Sequence, residues 1–245
     1  MSQEQSRLLA RGPLEIRAEE AHVWSASLDL DENAIPPLES VLSLDERERA
    51  GRFFFALHRK RFVAARGILR TILSRYAATD PAEIILSYGD HGKPYLSSLR
   101  GSAEIQFNVS HAGDLALIAV TRGRGIGVDI ESIGTRPYNA EVVRRFFSPH
   151  DESVLRSTPE AERAKTFVAF WTRKEACIKA GGLGLSFPLA SFDVSPDAKE
   201  PRVIDSGGES RRSWTLIDIE TAAGCAAACA VESVGLHVIR REFRF

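Results

Sequence analysis

The chain has 245 residues, 44% of them hydrophobic, which is enough for one large domain or two small ones with a substantial core. Its 32 Lys and Arg nearly balance 33 Asp and Glu, so net charge gives no case for a nucleic-acid partner. No run is long and apolar enough to span a bilayer, and the early Glu and Arg make the N-terminus unlike a signal peptide, so a cytoplasmic protein with no membrane partner is expected.

In chain order, residues 1–20 are polar with little pattern, and residues 21–30, with Trp24, Ala26, Leu28 and Leu30 alternating, read as a strand. Ser43 followed three residues later by Glu46 has the form of a capping box and opens a helix. A longer helix over 57–76 aligns Phe62, Leu69, Leu73 and Tyr76 on one face. Arg66 falls within that apolar stripe, where a guanidinium calls for a fork-shaped partner. Residues 84–88 read as a strand, and 89–92 as a hairpin-like turn into Lys93-Pro94-Tyr95, with turn chemistry accounting for both glycines. Residues 105–110 alternate Ile105, Phe107 and Val109 against Gln106, Asn108 and Ser110, and His111 closes that strand. A single His after a strand is most simply a structural one. The apolar run 115–120 predicts a buried strand, and the turn 122–125, although glycine-rich, lacks the Lys-Ser/Thr ending of a P-loop.

Residues 126–131, IGVDIE, place Ile126, Val128 and Ile130 on one side and Gly127, Asp129 and Glu131 on the other. Two carboxylates at i and i+2 on one strand face repel unless a cation lies between them, and Gly127 leaves room beside them for something bulky. A hard, oxygen-seeking ion such as Mg2+ suits that pair; a solvent-facing edge strand is the plainer alternative. A short helix from about Asn139 and another opened by Ser148-Pro149 follow. Thr158 as N-cap with Pro159 in the first turn, and Gly181-Gly182 as the stop, bound one long helix. On it Trp171, Glu175, Ile178 and Lys179 share a face, so a carboxylate and an ammonium enter an apolar surface and require a metal, a phosphate or each other. An exposed i, i+4 pair is the ordinary reading of Glu175 and Lys179 taken alone. Residues 182–188 read as a loop, 206–213 as a polar turn, and 192–194, 202–204, 214–219, 225–231 and 237–241 as strands. Cys177, Cys225 and Cys229 lie in helix-like or Ala-rich contexts and read as buried thiols, not as a metal pair.

The segments GVDIE (127–131), WTRKEACIKA (171–180) and FNVSHAGD (107–114) together resemble, in order and approximate spacing, those of 4'-phosphopantetheinyl transferases. The chain length resembles the larger, two-lobed type that modifies carrier proteins of peptide and polyketide synthases. The resemblance implies an α+β fold of two pseudo-symmetric lobes, residues 1–122 and 123–245, each a small, mostly antiparallel sheet with packed helices, and an active site in the cleft between them. A faint repeat agrees with this: Arg52-Phe53-Phe54 precedes Phe62-Val63-Ala64 as Arg145-Phe146-Phe147 precedes Phe167-Val168-Ala169.

The activity implied is transfer of phosphopantetheine from coenzyme A, the co-substrate, to a serine of an acyl or peptidyl carrier protein, with Mg2+ as cofactor, 3',5'-ADP as product and a monomer as the working form. Asp129, Glu131 and Glu175 are then the expected metal ligands, with Glu175 and Lys179 the catalytic pair. Arg61, Arg52, Lys93, Ser110, His111, Lys174 and Lys179 are the expected coenzyme contacts, Arg61 at the 3'-phosphate and Lys93 near the adenine. The chain departs from the family at Glu46, where basic residues are frequent, and at Ala112, where Ser is common. Arg136, Arg144, Arg145 and residues 182–187 form the expected carrier-docking surface. A Mg2+-dependent nucleotide hydrolase and a non-catalytic coenzyme A or carrier binder are the alternatives.

Overall fold

The computed structural model describes residues 12–89, 92–97, 104–135, 137–182, 188–197, 203–204, 214–221, 224–233 and 235–245. Arg136, the loop at 183–187 and the polar turn at 206–213 lie outside the described residues.

The elements run β1 (Glu20–Ser27), α1 (Ile35–Ser40), α2 (Leu44–Gly51), α3 (Ala56–Ala77), β2 (Leu86–Tyr88), β3 (Pro94–Leu96), β4 (Ile105–Ala112), β5 (Leu115–Arg122) and β6 (Ile126–Ser132). They continue with α4 (Ala140–Phe146), α5 (Pro149–Ser157), α6 (Glu160–Gly181), β7 (Asp193–Val194), β8 (Val203–Ile204), β9 (Thr215–Asp218), β10 (Cys225–Val231) and β11 (His237–Glu242). The sequence expectations hold for the long elements, with α1 the helix that periodicity missed. Caps explain several starts. Glu46 turns back to accept from Ser43 N at 3.1 Å, Asn139 Oδ1 accepts from Glu141 N and Val142 N, and Ser148 Oγ accepts from Asp151 N at 3.1 Å. The start of α6 differs from expectation: Pro159 occupies the N-cap, and Thr158 Oγ1 donates to Val154 O at 2.8 Å, so it finishes α5 instead of opening α6.

Two sheets carry the architecture. One has the order β11-β1-β5-β4 and the other β6-β10-β9, and their contacts are antiparallel except for the parallel β1–β11 pair. Strand alternation sorts their side chains into three cores. Trp24, Ala26, Ile118 and Val120 face α1 and α3; Ala21, Val23, Leu117 and Ala119 meet Val128, Ile130, Cys229 and Val231 between the sheets. Ala228, Ala230 and Leu216 face Phe167, Phe170 and Ala176 of α6. The order is therefore helix, sheet, sheet, helix, with α3 and α6, 22 residues each, as matching outer layers. The pseudo-symmetric pairing of sheet and long helix is as expected. The last strand crosses back, because β11 lies beside β1 in a sheet otherwise built from residues before 123.

Candidate active site

The site is built where β4, β6 and α6 converge. Along β6, Gly127, Asp129 and Glu131 face α6, while Ile126, Val128 and Ile130 enter the core between the sheets. The room beside Gly127 is not a ligand space. A methyl there would collide with the Ala176 carbonyl and lie 2.5 Å from Ala180 N and 2.9 Å from Lys179 Cβ, and one on Gly125 would lie 2.5 Å from Ala180 O. The two glycines let α6 press its backbone against the strand. Gly125 meets Ala180 and Gly127 meets Ala176, so the strand and helix run in opposite directions. Asp129 and Glu131 therefore step back along α6 toward the turn carrying Glu175.

Asp129 is the centre of the hydrogen-bond network. Its Oδ1 accepts from Lys179 Nζ at 2.6 Å and from Ser110 Oγ at 2.9 Å. Lys179 Nζ also lies 3.3 Å from Ser110 Oγ and 3.3 Å from Val128 O, and Ser110 Oγ accepts weakly from Ile130 N at 3.4 Å. Asn108, two residues before Ser110 on the same strand face, accepts from Val128 N at 2.9 Å. Sequence reasoning missed Asn108, although its alternation with Ser110 was the signal. The carboxylate is buried, whereas the Lys179 side chain remains 28% exposed.

Beside this network lies a cleft of about 450 Å3, lined by Lys93, Tyr95, Gln106 and Phe107 from one half and by Gly125 and the end of α6 from the other. Lys93 Nζ donates to Lys179 O at 2.5 Å and Ile126 O at 3.2 Å, and burial pushes its ammonium down to about 8. Glu175 is buried on α6.

The expected metal ligands can be tested on one atom. Asp129 Oδ2 is buried and has no hydrogen-bond partner among the described residues, an orphaned carboxylate oxygen of the kind a divalent cation satisfies. It lies on the strand face shared with Glu131, and all three acidic groups offer the hard oxygen that Mg2+ takes, so the donor set fits. Among the described residues, however, no three His, Cys, Asp or Glu side chains are gathered closely enough to form a cage.

The remaining expected contacts are dispersed. Arg61, on α3, forms a two-pronged pair with exposed Asp29, with both contacts at 2.7 Å. This hydrogen-bonded pair holds the Asp29 carboxyl below its usual range and raises Arg61. His111 is exposed at the end of β4, and Arg52 is exposed just past α2. Lys174 departs most from expectation. It is fully buried, 2.6 Å from Asp151 Oδ2, and it donates to Leu189 O at 2.8 Å and to Phe192 O. Its ammonium is thus turned into the protein behind α6, away from the cleft. The partner that Arg66 calls for is Glu46: Arg66 Nε reaches Oε1 at 2.7 Å and Arg70 Nε reaches Oε2 at 2.6 Å. The departure at Glu46 is therefore a buried clasp between α2 and α3. Arg144 and Arg145 are exposed at the end of α4.

Two family models match the chain: the 4'-phosphopantetheinyl transferase superfamily over residues 125–230, and the 4'-phosphopantetheinyl transferase N-terminal region over 32–123. The chain is 36% identical over 222 residues to the 4'-phosphopantetheinyl transferase HetI of Nostoc sp., covering 91% of this chain and 92% of that one. It is 34% identical over 155 residues to the 4'-phosphopantetheinyl transferase Sfp of Bacillus subtilis, covering 63% and 66%. A solved holo-(acyl-carrier-protein) synthase from Bacillus anthracis, in complex with CoA (3',5'-ADP), overlays with a TM-score of 0.37 at 20% identity, covering 44% of this chain and 93% of that one.

Proposed function

The chain belongs to the 4'-phosphopantetheinyl transferase superfamily, and from that premise we propose that it moves the phosphopantetheine arm of coenzyme A onto a serine hydroxyl of an acyl or peptidyl carrier protein. The serine hydroxyl gives its proton to a base, Glu175 or water, and its oxygen bonds to the phosphorus bearing pantetheine as the bond from that phosphorus to the bridging oxygen breaks and 3',5'-ADP leaves. Chemistry of this kind needs alignment and charge neutralisation more than covalent help from the protein.

The observation that carries the reading is the Ser110–Asp129–Lys179 network, joined to the cleft through Lys93 of its lining, which donates to Lys179 O. Asp129 fixes Lys179 Nζ at 2.6 Å, and the ammonium at the end of this partly exposed side chain would neutralise a phosphate oxygen as charge gathers on the leaving group. Asp129, Glu131 and Glu175 would hold Mg2+, which would supply further neutralisation of the pyrophosphate. The floor of the cleft would bound the nucleotide end, while Arg61 could turn from Asp29 to the 3'-phosphate. The two halves of one chain form the cleft together, so one copy suffices. Three free thiols suit a reducing cytoplasm.

The test is to incubate the protein with coenzyme A, Mg2+ and an apo carrier domain, then weigh the carrier. A gain of one phosphopantetheine arm is expected, lost on chelation and restored by Mg2+. Nucleotide product without a carrier gain would mean hydrolysis, and binding without either would mean a non-catalytic binder. Glu175→Gln should lower kcat/KM by about a hundredfold or more, and near-wild-type transfer would remove Glu175 from the reaction.

A further inference from the structure

Lys93 stands between β2 and β3 in the N-terminal half, yet its ammonium reaches across the cleft into the other half. Both acceptors it meets there are backbone: Lys179 O in the last turn of α6 and Ile126 O at the first residue of β6. Among the described residues it pairs with no carboxylate. Lys179 O also lies 3.3 Å from Gly182 N, the residue whose left-handed φ of 66° ends the helix. A cation at this point faces the negative end of the helix dipole and satisfies a carbonyl that the helix itself leaves half-served. It is also where Gly125 and Gly127 bring the backbones of strand and helix closest.

We propose that Lys93 is a positioning residue for transfer: by gripping the carbonyls of Lys179 and Ile126 it fixes the last turn of α6 on β6, and so aims the Lys179 ammonium. Its kinetic consequence rests on the transferase reading above; its structural consequence does not. Lys179 is then held at both ends, its backbone oxygen by Lys93 and its ammonium by Asp129. Two of the three N–H donors of Lys93 are committed to backbone, which separates this role from that of a simple ligand contact. A displacement of about 1 Å in a charge-neutralising group is enough to lower a rate by about a hundredfold.

Two measurements test this on the full chain. In Lys93→Met, kcat for carrier modification should fall by about tenfold or more while KM and Kd for coenzyme A stay within about twofold, because aim is lost and binding kept. Unchanged kcat, or a raised KM for coenzyme A with kcat retained, would overturn the proposal, the second by making Lys93 a ligand contact. In Lys93→Gln, amide hydrogen exchange should quicken in residues 178–182 and 126–128 and not in the earlier turns of α6. Unchanged protection there would overturn the clasp. The exchange measurement needs no turnover, so it stands even if the wild-type protein proves not to be a transferase, and it replaces the kinetic arm if Lys93→Met fails to fold.

Discussion

At residue 127 the absence of a side chain sets how the site is assembled. Any Cβ there would meet the Ala176 carbonyl and Ala180 N, both backbone atoms of the last turns of α6 that cannot yield without moving the helix. Gly127→Ala should therefore destabilise the protein by about 2–4 kcal/mol, read from the urea midpoint, and should break the Asp129–Lys179 contact and abolish transfer. Wild-type stability would mean that the helix does not press on the strand. Gly127 was legible in the sequence as a space on the carboxylate face, but what filled it was not. Alternation gives the direction of side chains on a strand, whereas the occupant of that space comes from some fifty residues further along. Arg66 teaches the same lesson: its position in the apolar stripe of α3 announced a need for a forked partner, and the structure supplied Glu46.

Helix α6 shows how one element serves two sides. Lys179 faces β6 and the cleft, while Lys174, five residues earlier and roughly 140° round the helix, points to the opposite side. There it is held by Asp151 and lies 4.5 Å from the Phe192 ring centroid and 5.7 Å from that of Phe147. Desolvation lowers the Lys174 pKa, which Asp151 partly offsets. Arg173 adds a second anchor, donating to both oxygens of Asp218 and to Ser195 O at 2.7 Å. Removing one member of a buried ion pair strands the other charge, so Lys174→Met should cost about 3–5 kcal/mol. The double variant Lys174→Met/Asp151→Leu should recover most of that loss, because no unpaired charge remains. Denaturant unfolding of the two variants beside the wild-type protein measures this, and equal destabilisation by the single and double changes would refute the pairing. Coenzyme A affinity should be unaltered in the double variant, in keeping with the placement of Lys174 behind the helix. The two lysines look alike in WTRKEACIKA; the helical period separates them, but only packing assigns each its task.

At the scale of the whole molecule, the two sheets and two long helices are tied by polar contacts inside the core. His22 on β1 meets Tyr76 at the end of α3: Nδ1 lies 2.6 Å from Tyr76 Oη, which also accepts from Trp24 Nε1 at 2.9 Å. Indole N–H can only donate, so Tyr76 Oη is the acceptor in the Trp24 bond, and His22 Nε2 lies 3.5 Å from Glu20 Oε2. Burial, with Arg241 nearby, lowers His22 to about 4, and burial pushes Tyr76 up to about 12. Between pH 6.5 and about 4 the unfolded chain thus binds a proton at His22 that the folded chain refuses. Stability should fall as pH drops through that window, by about 3 kcal/mol from this group, and level off below it. Urea midpoints at pH 7 and pH 4.5 measure the fall, and His22→Asn should flatten the dependence; an equal slope in that variant would assign it elsewhere. Alkylation offers a companion test of the core. Burial pushes Cys177 and Cys229 up to about 12, so only Cys225 should react in the native protein at neutral pH.

The sequence by itself determined the local elements and the chemistry they offer. Capping residues marked helix starts, alternation set Asp129 and Glu131 on one strand face, and the three motif segments carried the family. Only the tertiary structure decided which charge answers which: Lys179 to Asp129, Lys174 to Asp151, Arg61 to Asp29, Lys93 to two backbone carbonyls, and β11 to β1. The physical reason is that periodicity is a property of a segment and fixes where its side chains point. The partner of a buried charge is whatever oxygen or nitrogen the packing of distant segments brings within about 3 Å, and no local pattern encodes that distance.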